Sequence, residues 1–178
     1  LSSVYHITLG FPASETTDVL IMVQALSLRG VDSQGELSLL VPLDKTIRNG
    51  YRGLPAWAMP GADLDESKEN IVPIGRIRLE YFVGRKCAMF VFTGHTRDVG
   101  GLFQESVSVR ATFARILEDN NGLFGIFSMD EGKGEMFWCL GRKTNETVLY
   151  MPQYREPDEL ADRILLGRAE GAQRAPVA

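Results

Sequence analysis

The sequence predicts a mainly β fold in one domain, an antiparallel sandwich or partly closed barrel with one C-terminal helix. Three observations lead there. Apolar residues alternate with polar ones in many short runs, Gly, Asn, Asp and Pro separate those runs at hairpin spacing, and strands do not alternate with helix-length segments. The chain has 178 residues, a length that suits one domain better than two.

Taken in order, Tyr5, Ile7, Leu9 and Phe11 alternate with His6 and Thr8 and predict a half-buried strand ended by Gly10 and Pro12. Residues 19–28 read as a nearly continuous apolar strand, turned by residues 30–35 into a returning strand at 36–43. With Val19, Ile21 and Val23 on one side and Leu20, Met22 and Leu26 on the other, that first strand is expected to be covered on both faces, by the core and by something else, another subunit being one candidate. Residues 44–73 lose the alternation. They carry Gly50, Gly53, Pro55, Pro60, Gly61 and Pro73 with an acidic run at 63–69, and read as an irregular insertion. At 76–83, Ile77, Leu79, Tyr81 and Val83 face inward and Arg76, Arg78 and Glu80 outward, and Gly84-Arg85-Lys86 turns the chain into 87–93 as a second hairpin.

From residue 106 the pattern is a meander, with strands at 106–117, 123–129, 135–142 and 147–151 and turns rich in Asn, Asp and Gly between them. Residues 1–155 therefore form the β domain, and residues 156–178 a helix and polar tail. Pro157 suits the first helical position, Asp158 and Glu159 sit at the positive helix end, and Leu160, Ala161, Ile164 and Leu165 form a stripe that Gly167 ends.

Nineteen Lys and Arg against twenty-three Asp and Glu give a net charge of −4, which excludes a polybasic nucleic-acid tail. No apolar run approaches the roughly 20 residues that span a bilayer. That favours a soluble protein, cytoplasmic or virion-associated rather than secreted. Cys87 and Cys139 lie in apolar strand-like runs, where free Cys acts as a small buried hydrophobe. No dinucleotide fingerprint, phosphate loop, nucleophile elbow or close Cys/His spacing occurs, so no cofactor and no metal site is expected.

Two histidines, His6 and His95, limit acid–base chemistry. His95, beside Arg97 and Asp98 at a strand end, could join Ser106 or Ser108 only with a geometry that the sequence does not fix, so it is expected to be a turn residue with Gly94, Gly100 and Gly101. Arg48, Arg52, Arg76, Arg78 and Arg85 are the candidate anion-binding residues, for nucleic acid or anionic lipid. Trp57 and Met59 in an apolar loop, Leu20 and Met22 on the two-sided strand, and Leu160, Ile164 and Leu165 on the helix are the candidate interface residues.

The functional expectation is a non-enzymatic protein that self-assembles into a homo-oligomer or binds a partner. A small viral structural protein, matrix-like or coat-like, is one concrete form. The alternatives are a β barrel whose apolar cavity is lined by Phe90, Phe92, Phe113, Phe127, Phe137 and Trp138, and a hydrolase or isomerase using His95.

Overall fold

The first strand, β1 (Tyr5–Pro12), lies at the centre of a single sheet, because its side chains are buried on both faces and both of its edges are paired. The computed structural model describes residues 4–59, 70–129, 133–149 and 156–174. The remaining strands are β2 (Glu36–Pro42), β3 (Ile71–Val83), β4 (Cys87–Gly94), β5 (Phe124–Met129), β6 (Lys133–Cys139) and β7 (Arg142–Leu149). They form a seven-stranded antiparallel sheet in the order β2-β3-β4-β1-β5-β6-β7. The mainly β, antiparallel expectation holds. The sheet is open, however, and the layers that pack on it are helical. The acidic run at 63–69, part of the expected turn at 130–134, the end of the last expected strand and the tail beyond residue 174 lie outside the described residues.

Two expected strands are helices. The segment at 19–28 belongs to α1 (Thr16–Ala25), and only residues 26–28 run beside β2, through a bridge between Ser27 and Leu39. Val19, Met22, Val23 and Leu26 recur at spacings of three, four and seven, so the stripe toward the sheet is helical and Ile21 is left outside. The segment at 106–117 forms α4 (Val107–Asp119), with Val109, Thr112, Phe113, Ile116 and Leu117 buried at helical spacing. Ser106 caps it, its hydroxyl accepting from the Val109 N–H at 3.2 Å.

Two further helices were not anticipated. Within the expected irregular insertion, α2 (Lys45–Gly50) is capped by Asp44. After β4 comes α3 (Arg97–Glu105), capped by Thr96. Gly100 is therefore a helix residue and not a turn glycine: a Cβ there would fall 2.0 Å from the Tyr5 ring. Close approach of α3 to β1 is what demands glycine at that position.

α1, α3 and α4 pack on one face of the sheet, over Ile7, Leu9, Phe11, Leu39, Ile74 and Phe90, all fully buried. Phe92, Phe103 and Phe113 fill the space between, with edge-to-face ring contacts at 5.0 and 5.7 Å around Phe113. Phe90, Phe92, Phe113, Phe127 and Trp138 thus build a solid core, with Phe137 packed against it, and the expected barrel cavity is replaced by packed side chains. The opposite face carries α5 (Pro157–Arg174). Its Leu160, Ala161 and Ile164 pack with Met89, Val91, Phe124, Ile126 and Met136. The helix continues past Gly167 instead of ending there.

Cys87 and Cys139 are buried and in no disulfide, as expected of small hydrophobes. They stand on β4 and β6, which β1 and β5 separate, so three inter-strand spacings of about 4.8 Å keep them beyond disulfide reach. Burial, with the charges of Asp158 and Asp162 adding to it, pushes the Cys87 thiol up to about 12, so it stays protonated and unreactive at neutral pH.

Asp158 fastens α5 to the sheet. Its carboxylate accepts three backbone N–H bonds from the β3–β4 turn, from Arg85 at 2.8 Å, Lys86 at 3.0 Å and Cys87 at 2.9 Å. These bonds, Cys87 foremost, hold the carboxyl below its ordinary value of 3.8. A depressed folded-state pKa contributes stability above pH 3.8 and loses it as the pH falls through the lower value. Asp158→Ala is accordingly expected to speed hydrogen exchange at the amides of residues 85–87 and to make α5 an early site of limited proteolysis. Unchanged protection of those amides would show that the apolar stripe alone seats the helix.

Candidate functional site: an open strand edge

β3 has thirteen residues and β2 has seven, so one strand outruns its neighbour. β2 pairs only with residues 71–78, whereas β4 pairs with residues 77–83. On the outer side the last contact is the Leu79 N–H, which donates to the Gly35 carbonyl at 2.7 Å. The Gly84 N–H donates to the Cys87 carbonyl at 2.8 Å and closes the hairpin. In an antiparallel ladder the direction of the backbone groups alternates, so Glu80 and Phe82 turn theirs toward β4 and Tyr81 and Val83 turn theirs outward. Among the described residues nothing bonds to that outward side.

The side chains at these two positions are also uncovered. Tyr81 is 48% and Val83 54% exposed, although Tyr81 lies stacked on Phe90 with ring centroids 5.4 Å apart. The edge therefore offers two N–H donors, two carbonyl acceptors, a rigid aromatic ring and a β-branched side chain. The tip beyond it, Arg85-Lys86, is fixed from below by Asp158, so the segment is held in an extended form.

The other sheet edges are blunted. Residues 26–28 cover β2, with Leu28 N–H donating to Ser38 and Leu40 N–H to the Leu26 carbonyl, both at 2.8 Å. β7 presents the polar run Arg142-Lys143-Thr144-Asn145-Glu146-Thr147, and charged side chains deter strand addition. Among the described residues, Tyr81 and Val83 combine exposed apolar side chains with outward-turned backbone groups.

The candidate residues from the sequence are distributed differently. Trp57 and Met59 are 50% and 44% exposed in and after a short helical turn, as an interface loop would be. Leu20 and Met22 are half-buried on α1 against the chain's own core, and Leu160 and Ile164 are buried beneath α5 with Leu165 beside them. All five pack against the chain's own core, Leu20, Met22 and Leu165 only in part. The arginines do not form one patch. Arg48, on α2, and Arg52, just after it, belong to the helical side of the sheet, while Arg76 and Arg78 point away from it, Arg78 level with Glu36 and one pleat from Glu80. Arg85, nine residues along β3 from Arg76, lies roughly 25–30 Å away.

His95 is exposed and makes no hydrogen bond among the described residues. The two serines near it in sequence are occupied elsewhere. Ser106 donates to Asp44 Oδ2 at 2.7 Å and Ser108 to the Pro42 carbonyl at 2.6 Å. Burial would raise the Asp44 carboxyl, but the bonds from Ile47, Ser106 and Ser108 outweigh it and hold the group below its ordinary value. This cluster ties α2 to the start of α4. His6 shares a 3.1 Å hydrogen bond with Thr93 across the β1–β4 pair. Among the described residues no three His, Cys, Asp or Glu side chains converge as metal ligands, and no helix is long and apolar enough to cross a membrane.

No family model matches the chain, and neither the curated proteins nor the solved structures searched include one similar to it.

Proposed function

We propose that the protein is a non-enzymatic assembly unit that self-associates by pairing the open edge of β3 with the same edge of a second copy. The observation that carries the reading is the outward-turned backbone of Tyr81 and of Val83, each beside an exposed apolar side chain. A two-fold axis near Phe82 would set Tyr81 of one copy against Val83 of the other, where each pair exchanges two backbone hydrogen bonds. The apolar side chains then meet across the strands, and Glu80 stands level with Gly84 of the other copy. The interface is thus self-complementary in hydrogen bonding and apolarity. A cytoplasmic or virion-associated setting, and a matrix-like or coat-like role, are proposals that suit such a unit.

The test is sedimentation across a wide range of concentration. A species of twice the 19.7 kDa chain mass is expected, and Val83→Lys should shift it to monomer while the far-ultraviolet circular dichroism stays unchanged, since the side chain is exposed. Wild-type protein that stays monomeric up to hundreds of micromolar would reject the proposal. Loss of association in Trp57→Ala, with none in Val83→Lys, would reject the strand edge and move the contact to the Trp57 loop.

A further inference from the structure

Away from the strand edge, a cleft of about 310 Å³ opens between the start of α4 and the β6–β7 hairpin. Val107, Ala111 and Ala114 form its helical wall, with Phe137 and Lys143 opposite. Arg110 sits at its base. The guanidinium lies over two rings, 4.7 Å from the Phe137 centroid and 5.1 Å from that of Phe127. Its Nε–H donates to the Phe103 carbonyl, which fixes the plane of the group. Its terminal nitrogens are left over, since among the described residues no carboxylate pairs with it within 4.0 Å.

Charge and hydrogen-bonding capacity in the cleft are correspondingly unbalanced. Burial works against the Arg110 charge and Glu135 acts the other way, but without direct contact. Lys143 adds a second cation at the rim, and Glu105 is the one acid among the lining residues. The two hydroxyls present are engaged, Ser106 by Asp44 and Thr144 by Glu146 at 3.2 Å. What remains is a planar cation with free N–H groups, a second cation and an apolar wall of two alanines facing an aromatic ring.

We infer that this cleft binds a small organic carboxylate with a flat apolar body. The two carboxylate oxygens match the free side of the guanidinium fork, and Lys143 closes over the same charge. The apolar body slides between Ala111, Ala114 and the Phe137 ring, and the volume is at the small end of ligand sites, enough for a fused bicyclic ring. Val107, 77% exposed on the helical wall, gains cover on binding. Both parts are required: a bare anion leaves the apolar wall wet, and a neutral arene leaves Arg110 unpaired.

The experiment is a nuclear magnetic resonance titration of the full chain with 2-naphthoate, 2-naphthamide and inorganic phosphate. Saturable shifts at the amides of Ala111, Ala114, Phe137 and Thr144 are expected with naphthoate, and about tenfold weaker binding with the amide, the loss of roughly 1.4 kcal/mol of charge-assisted contact. Lys143→Gln should weaken naphthoate severalfold and Ala111→Leu should abolish it, both changes being at exposed positions that leave the fold intact. Absence of saturable shifts at millimolar naphthoate would overturn the inference. So would equal binding of the amide, phosphate binding as tight as naphthoate, or a filled Ala111→Leu cleft that still binds.

Discussion

Phe113→Ala is expected to lower the unfolding free energy by about 3–5 kcal/mol, the range for removing a buried phenyl ring. The ring is wholly inaccessible and meets Phe92 and Phe103 edge to face, so its removal costs the transfer term, two oriented aromatic contacts and the cavity left behind. Collapse cannot easily fill that cavity. The neighbouring rings belong to β4 and α3, elements fixed by the sheet ladder and by the Thr96 cap. Because whole domains are stable by only about 5–15 kcal/mol, the variant should unfold at a much lower denaturant midpoint with an unchanged slope. A loss below about 1 kcal/mol would mean that the sheet and the helical layer are not coupled through this cluster.

Gly10→Val is the second large effect, and it acts on the other side of the sheet. A Cβ at residue 10 would fall 2.3–2.8 Å from three ring atoms of Phe124, its directly opposed partner on β5. Phe124 lies flat over the glycine because nothing projects there. The ring cannot retreat, since it is fully buried in the cluster that includes Leu160 and Ile164 of α5. Overpacking of this kind costs about 1–3 kcal/mol, and the upper end is expected at a central strand. Unfolding by denaturant should show it, together with earlier proteolysis within α5. Stability within about 0.5 kcal/mol of wild type would show that Phe124 has another rotamer open to it.

The strands were readable wherever one side of the chain meets a core and the other is polar. Arg76, Arg78 and Glu80 against Ile77 and Leu79 state this plainly, and so does Tyr5 through Phe11. Alternation failed at residues 16–25 and 107–119 because β-branched and apolar residues stand on every side of both segments. The helical spacing of Val19, Val23 and Leu26, and of Val109, Phe113 and Ile116, was present but was outweighed by composition. α2, six residues long, is too short to show an apolar stripe in the sequence. Its signal was Asp44 three residues before Ile47.

The site had a different fate. Sequence places Tyr81 and Val83 on an inward face, which is correct for the pleat, yet both are exposed, because β2 stops at Glu36 and, among the described residues, no helix covers that end of β3 on this face. That mismatch of strand lengths is a property of pairing between distant segments, and no local pattern encodes it. Arg110 was hidden for a related reason. Read as a strand residue it would point to solvent, whereas on α4 it follows Val107 by three and precedes Ala114 by four, so the three share a face.

The central position of β1 also dictates an order of events during synthesis. β1 leaves the ribosome well before either of its partners. His6 must wait for Thr93, 87 residues later, and its other flank waits for β5, later still. At roughly 5–20 residues per second that is an interval of several seconds, during which Ile7, Leu9 and Phe11 are exposed with both backbone edges unsatisfied. Pairings this remote also make the refolding of the intact chain slow, because the loop must close before any contact rewards it. A nascent chain stalled before residue 94 is therefore the form of this protein most in need of a chaperone, and β1 is the segment that such a chaperone would hold.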